Sequence, residues 1–447
     1  MKNIKPPQIV VLSFLIAIFI GTALLSLPIA TRAGERMPFI DSLFTATSAT
    51  CVTGLIVRDT GTYFGPFGKL VILILLQMGG LGIMTFSTLF AVALGRKLTI
   101  KQDVVIQRTM APNKVQNLGA LIKYILFITV GMEFLGALGL AVRWIRTTDW
   151  PVGEVLVNSV FHSVSAFCNA GFSLFSSSFA GFRNDPLINL IMIALIFAGG
   201  IGFIVIMEVP HFFMRKKFYR VSIQTRVALT VSLLLIVAGA LLFFIFENHN
   251  TLSGLPAGEK AIGSVFQSVT TRTAGFNTVN IGKLATPTLC FFVFLMFVGA
   301  SPGSTGGGIK TCTFAVLIAT AVSMLKNKDR VSFFKKTIPK EVVRKAVAVF
   351  FLALLWIFIA VIMLAAVEER KCGIGNYFLK ILFEVTSAFG TVGLSAGITP
   401  TLTVFGKLII IITMLVGRIG PLTLALAVAL QQERIAYSYP EEKIMIG

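Results

Sequence analysis

Four short stretches of the chain repeat one chemical arrangement, in which small residues lead into a glycine and a bulky apolar residue follows it. They read Thr50-Cys51-Val52-Thr53-Gly54-Leu55, Cys168-Asn169-Ala170-Gly171-Phe172, Arg272-Thr273-Ala274-Gly275-Phe276 and Gly390-Thr391-Val392-Gly393-Leu394. The glycines lie 117, 104 and 118 positions apart. Extended backbone of this kind can point carbonyl oxygens at a central cation and replace its hydration shell. Glycine suits it because a carbonyl ladder needs backbone angles that a Cβ resists. The candidate ion-binding residues are therefore Thr50 to Gly54, Cys168 to Gly171, Arg272 to Gly275 and Gly390 to Gly393. Such a cation would sit at the backbone of Gly54, Gly171, Gly275 and Gly393.

The elements needed to position such loops repeat with them. Each motif follows an apolar segment too short to cross a bilayer and precedes a full-length one. In the first repeat a span over about Ile9–Ile29 leads to a short helix over Phe39–Ala49, with Asp41 at the expected N-cap. The motif and a span over Phe67–Leu94 follow. The second repeat places a span near Leu118–Val142, a half-helix at Glu154–Phe167 and a span at Leu187–Phe213. The third has Val227–Phe246, Glu259–Thr270 and an apolar run from Leu289. The fourth has Ala346–Val367, Asn376–Phe389 and Leu402–Leu430. The expected organisation is repeats over 1–95, 96–214, 215–326 and 327–430 with a tail at 431–447. That is an all-α membrane protein of eight transmembrane helices, arranged as four pseudo-symmetric helix–P-loop–helix units around one pore. Half-helices ending at the motif would turn their negative dipole ends toward a cation just below it. Glycines serving only helix packing would instead lie inside spans at helical spacing.

Composition agrees with that class. Of 447 residues, 55% are hydrophobic and 13% charged, and the mean hydropathy is +0.88; soluble domains carry about 25% charged residues. The formal net charge of +20 sits in the linkers between repeats: Arg96, Lys97, Lys101, Arg108 and Lys114; Arg215, Lys216, Lys217, Arg220 and Arg226; Lys326, Lys328, Arg330, Lys335, Lys336, Lys340, Arg344 and Lys345. Positive loops on one side place that side and the N-terminus in the cytoplasm, with the motifs facing outward. No nucleic-acid-reading motif accompanies the charge. The first apolar stretch is too long for a signal peptide, and Lys2 and Lys5 suit a cytosolic end. Five cysteines without C-x-x-C or a histidine cluster support neither a zinc site nor a disulfide framework, so buried free thiols are expected.

The second span of repeat three contains Ser301-Pro302-Gly303-Ser304-Thr305-Gly306-Gly307-Gly308-Ile309-Lys310-Thr311 between apolar runs of 14 residues each. Each run covers roughly 21 Å of a ~30 Å hydrocarbon core, so the helix must break, and the loop must line water or lie within protein. Gly-Ile-Lys-Thr at its end departs from the contiguous Gly-Lys-Thr of a nucleotide-binding loop. Small residues cluster after every motif, at Gly79-Gly80, Gly199-Gly200, Gly299-Ala300 and Gly417-Arg418. Aligned on them, Arg418 stands where the other repeats have Gly80, Gly200 and Ala300, and an intramembrane arginine marks function. It would oppose an exiting cation, anchor the broken loop through carbonyls, or do both. Glu133, His162 and Glu384 are isolated and read as structural hydrogen-bonding groups. No nucleophile–base pair appears, so no enzymatic activity is expected.

With four span–P-loop–span units carrying one motif glycine each, nearly the whole chain resembles the Trk/Ktr/HKT superfamily of potassium transporters. It lacks an extra N-terminal hairpin and is most similar to the Ktr-type ion-translocating membrane subunit. The resemblance implies that the motif glycines form a potassium filter and that Gly303, Ser304, Thr305, Gly306, Gly307, Gly308 and Lys310 belong, with Arg418, to a gate. It also implies a homodimer in the cell membrane on a cytosolic ring of RCK-domain subunits that bind ATP or ADP, often with a sodium requirement. No cofactor is expected in the chain itself; the basic linkers and the tail are candidate docking surfaces. The two-glycine TVGYG filter of potassium channels is not present. Passive, channel-like potassium uptake is the expected activity. The alternative is a sodium- or proton-coupled symporter, which usually rests on inverted repeats, whereas these repeats all begin on the same side. A non-transporting scaffold would have no need of four buried irregular loops.

Overall fold

The computed structural model describes residues 6–82, 118–214, 221–328, 330–368 and 377–428. The first two basic linkers apart from Arg226, Lys2, Lys5, the end of the Phe67–Leu94 span, Cys372, Asn376 and the tail lie outside them.

Four long apolar helices open the four repeats: α1 (Pro6–Leu25), α4 (Leu118–Thr147), α8 (Ile223–Glu247) and α12 (Lys340–Glu368). All four contain segments long and apolar enough to cross a bilayer. Their outer surfaces show large apolar groups, including Phe127 at 78% and Phe134 at 65% exposure. A soluble fold rarely presents such continuous apolar faces; lipid covers them.

Between each long helix and the next stands a half-helix: α2 (Phe39–Thr50), α5 (Val152–Phe167), α9 (Ala257–Thr270) and α13 (Tyr377–Gly390). These are buried toward their C-terminal ends, where Phe44, Phe167, Phe266 and Phe389 are fully enclosed. The second spans are α3 (Pro66–Leu81), α6 (Pro186–Ile201) continuing as α7 (Phe203–Met214), α10 (Thr286–Phe297) with α11 (Thr311–Leu325), and α14 (Val404–Ile419) with α15 (Pro421–Val428). The architecture is the expected all-α bundle of eight transmembrane passes.

Two expectations change. Asp41 is not the N-cap of α2, a position held by Pro38. Its carboxylate instead accepts from Arg58 Nε at 2.9 Å and Lys407 Nζ at 2.6 Å. Nor is repeat three alone in having a broken second span. The helix axis turns by 104° between α6 and α7 and by 95° between α14 and α15. The hinges are Gly202 (φ +100°) and Gly420 (φ +91°), and α3 stops at Gly82 (φ +79°). In repeats one, two and four the glycine two places after the small-residue cluster takes a positive φ that a side chain resists, and the helix ends there.

Of the thiols, Cys51 and Cys168 are buried and Cys312 is half-buried, all unpaired as expected. Cys290 is also free but exposed, because it lies on the apolar surface of α10 that a bilayer would cover.

Candidate permeation site

The four motifs converge head to tail. A Cβ built on Gly54 would lie 2.5 Å from the Ala170 carbonyl oxygen, and one on Gly171 would lie 2.8 Å from that of Ala274. The same construction on Gly275 strikes the Val392 carbonyl, and on Gly393 the Thr53 carbonyl. The glycines thus form a closed ring in which each abuts the backbone of the next repeat. All four have positive φ: +90°, +69°, +80° and +90° in chain order.

Two residues earlier, Val52, Asn169, Thr273 and Thr391 are also left-handed, at +56°, +56°, +79° and +50°. Such angles are costly for β-branched residues, and they recur in every repeat. Positive φ thus falls at alternate positions in all four motifs. The N–H groups are held from behind. Thr53 and Gly54 donate to the carbonyl and hydroxyl of Ser48 at 2.8 and 3.1 Å. Val392 and Gly393 repeat those bonds and distances on Ser387. Ala170 donates to the Ser165 carbonyl at 2.8 Å, and Ala274 to that of Thr270 at 2.9 Å. The Ser165 and Thr270 hydroxyls donate to Phe172 and Phe276. Among the described residues, no hydrogen bond is donated to the carbonyls of Thr53, Gly54, Ala170, Gly171, Ala274, Gly275, Val392 or Gly393. The buried hydroxyls of Thr50 and Thr53 have no protein partner either. Three of the four motif glycines, Gly54, Gly275 and Gly393, thus have their amides held by protein, while the motif carbonyls named above accept no protein hydrogen bond among the described residues.

The sequence did not single out the serine clamps, although Ser48, Ser165 and Ser387 each stand six places before their glycines. Arg272 departs from its aligned neighbours: its guanidinium donates to the Ser232 carbonyl of α8 at 3.2 Å, so the side chain is tied to the flanking helix.

The Ser301–Lys310 loop packs against the residues that precede the motif glycines and the ends of the half-helices. Gly307 N donates to Thr391 Oγ1 at 2.9 Å, and Thr305 Oγ1 to the Phe167 carbonyl at 3.3 Å. Ser301 N and Thr305 N donate to the carbonyls of Gly200 and Gly199. Lys310 Nζ folds back on the Gly306 carbonyl at 2.6 Å. Arg418 donates to the carbonyls of Thr305 and Gly79, so one guanidinium from repeat four joins the loop to repeat one. The small-residue clusters serve close packing: a Cβ on Gly79, Gly199 or Gly417 would strike the carbonyl of Thr50, Phe167 or Phe389 at the end of a half-helix.

The profile of the family described as "Cation transport protein" (TrkH) matches residues 4–438. The chain belongs to the TrkH cation transport family. It is 40% identical to the Ktr system potassium uptake protein B of Bacillus subtilis over 99% of this chain and 97% of that protein. It is 37% identical to the potassium/sodium uptake protein NtpJ of Enterococcus hirae over 100% and 98% of the two. The crystal structure of the potassium transporter TrkH from Vibrio parahaemolyticus shares its fold, with a TM-score of 0.71 at 20% identity over 93% of this chain and 84% of that one.

The other candidate groups of this TrkH-family chain make structural bonds, as expected. Leu174 N donates to His162 Nε2 at 3.1 Å, which leaves Nδ1 to donate to the Asn158 carbonyl at 2.8 Å. Glu384 accepts from Ser395 Oγ, Ala396 N and Thr399 Oγ1. Glu133 accepts from Gln77 at 3.2 Å.

Proposed function

We propose that this chain is the ion-translocating subunit of a potassium uptake system and conducts potassium passively through the ring of motif carbonyls. The observation that carries the reading is the closed circuit of Gly54, Gly171, Gly275 and Gly393, each left-handed and each against the next repeat's backbone. Its carbonyls accept no hydrogen bond among the described residues and the amides of Gly54, Gly275 and Gly393 are occupied, which suits a dehydrated cation. The names of the relatives, "Ktr system potassium uptake protein B" and "Potassium/sodium uptake protein NtpJ", support potassium as that cation.

The Gly303–Gly308 loop, with Lys310 and Arg418, is the gate in this reading. It lies across the inner side of the filter through Thr391 and is fastened by Arg418, whose charge also repels a cation leaving inward. The repeats carry their basic linkers on the cytoplasmic side of the cell membrane, and a homodimer engages a nucleotide-binding cytosolic ring there. "Ktr system" names an assembly of more than one component, in keeping with such a partner.

The name of the Enterococcus relative favours one second reading, coupling to sodium. Rubidium uptake in a potassium-transport-deficient strain, with the partner supplied, tests both. Gly54→Ser should lower potassium-over-sodium selectivity at least about tenfold, since the new Cβ has no room beside Ala170. Arg418→Ala should raise the maximal rate. Wild-type uptake unchanged when sodium is removed would exclude coupling. Selectivity untouched by Gly54→Ser would defeat the filter reading itself.

A further inference from the structure

A cavity of about 450 Å³ opens where α11 ends and α12 begins. Those helix ends are joined by a β-hairpin of β1 (Ser332–Phe333) and β2 (Lys336–Thr337). Four cations, Lys328, Arg330, Lys340 and Arg344, stand around its mouth. Val331, Ile338 and Val343 form half-buried apolar walls, and the buried Ser323 lies one helical turn above Thr320 on α11. None of the four cations forms an ion pair with a carboxylate among the described residues. The segment 326–345 as a whole sets eight basic residues against Asp329 and Glu341. Four cations lining one cavity, none of them ion-paired among the described residues, repel each other, and an anion relieves that repulsion.

A second observation identifies the medium. Large apolar side chains flank the basic mouth fully in the open, with Met324 at 72%, Leu325 at 87% and Phe334 at 50% exposure. The hairpin turn that presents Phe334 is built from two left-handed non-glycine residues, Phe334 (φ +45°) and Lys335 (φ +62°). Apolar groups beside lysines at the end of a spanning helix belong at the lipid–water boundary, with the apolar part in acyl chain and the charge among headgroups. A basic pocket between spanning helices there is suited to a lipid phosphate. The hydroxyl-bearing wall descending α11 would accommodate the glycerol below it.

We propose that this cavity binds the headgroup of an anionic phospholipid from the inner leaflet, clamping the ends of α11 and α12. Because α11 is the continuation of the Ser301–Lys310 loop, a lipid held there fixes the far end of the helix that carries the loop. The site rests on the inner-side orientation of the linkers given above, but its test does not depend on transport.

The purified full chain in detergent is titrated with phosphatidylglycerol or phosphatidylcholine, and bound lipid is counted by native mass spectrometry. Rubidium uptake is followed separately, so that loss of lipid binding and loss of transport are told apart. Phosphatidylglycerol should bind at least about tenfold tighter than phosphatidylcholine, and the Lys328→Gln, Arg330→Gln, Lys340→Gln, Arg344→Gln variant should lose that preference. A control with equal charge removed elsewhere (Arg36→Gln, Arg146→Gln, Arg183→Gln, Lys283→Gln) should retain it. Equal loss in both variants would mean unspecific attraction and overturn the site. Full competition by inorganic phosphate would reassign it to a free anion. Lipid binding unchanged in the first variant, with the cytosolic partner no longer co-purifying, would make the cavity a protein-docking surface and refute the proposal.

Discussion

At the residue scale, the filter is a matter of which backbone groups are occupied. The amide of Gly393 is closed by Ser387 Oγ at 3.1 Å, as that of Gly54 is by Ser48 Oγ at the same distance. Ser387→Ala would leave a buried N–H without its partner at a cost of about 1–3 kcal/mol, and would free the loop to rotate its carbonyls. The thermal midpoint of the purified protein should fall, and the apparent affinity for rubidium should weaken, with Ser48→Ala behaving alike. A midpoint shift with unaltered affinity would mean that the serine stabilises the fold without shaping the filter. The glycines were legible in the sequence because nothing else satisfies a left-handed position packed against a neighbouring backbone. The clamps were not, because serine is common in polar half-helices and only the fold shows which hydroxyl reaches an amide six residues later. The left-handed Val52 and Thr391 were hidden for a similar reason, since their residue types argue against the conformation they hold.

At the element scale, the proposed function assigns selection to the loops after the short half-helices and obstruction to the broken second helices. Carboxylates at the ends of two long helices fix the start of the next span. Glu247 accepts from Ala285 N at 2.9 Å and Thr288 Oγ1 at 2.6 Å. Glu368 accepts from Thr403 N at 2.8 Å and Thr403 Oγ1 at 2.6 Å. The breaks lie at the other ends of these spans, at the Ser301–Lys310 loop and at Gly420. The repeat-three interruption was legible from its length and its run of glycines. The other hinges were not, because Gly202 and Gly420 lie inside apolar runs long enough to read as continuous spans. In repeat three the loop is held to the filter by the bond from Gly307 N to Thr391 Oγ1. Thr391→Val keeps the side chain's shape and removes the acceptor, so the loop should spend more time displaced. Maximal uptake should rise severalfold while potassium-over-sodium selectivity holds. A fall in both would show that Thr391 serves the filter alone.

At the scale of the whole molecule, four repeats form a pore only if the last closes on the first. Besides the Gly393–Thr53 and Arg418–Gly79 contacts, an ion pair joins residues 366 positions apart: Lys407 Nζ at the start of α14 lies 2.6 Å from Asp41 Oδ1 in the first turn of α2. Arg58, just beyond the first motif, takes the other oxygen at 2.9 Å and sits over the Tyr63 ring. Sequence reading placed Asp41 at a helix start and had no means of finding its partners, because pairing across a pseudo-symmetry axis leaves no local spacing. The carboxylate is 3% exposed and Lys407 13%, whereas Arg58 at 43% is largely in water. The enclosed Lys407 bond should therefore carry most of the coupling, and Arg58→Gln should change little. Asp41→Ala would strand a cation in a poorly solvated site, at a cost of about 3–5 kcal/mol. Its effect should also reach the ring, where Gly393 abuts Thr53, so that sodium leaks in as stability falls. Asp41→Ala combined with Lys407→Met removes both charges and should recover much of the stability, giving a coupling energy of at least about 1 kcal/mol in a double-mutant cycle. Strict additivity of the two substitutions would mean that repeats one and four are joined by apolar packing and that the ion pair is incidental to closure.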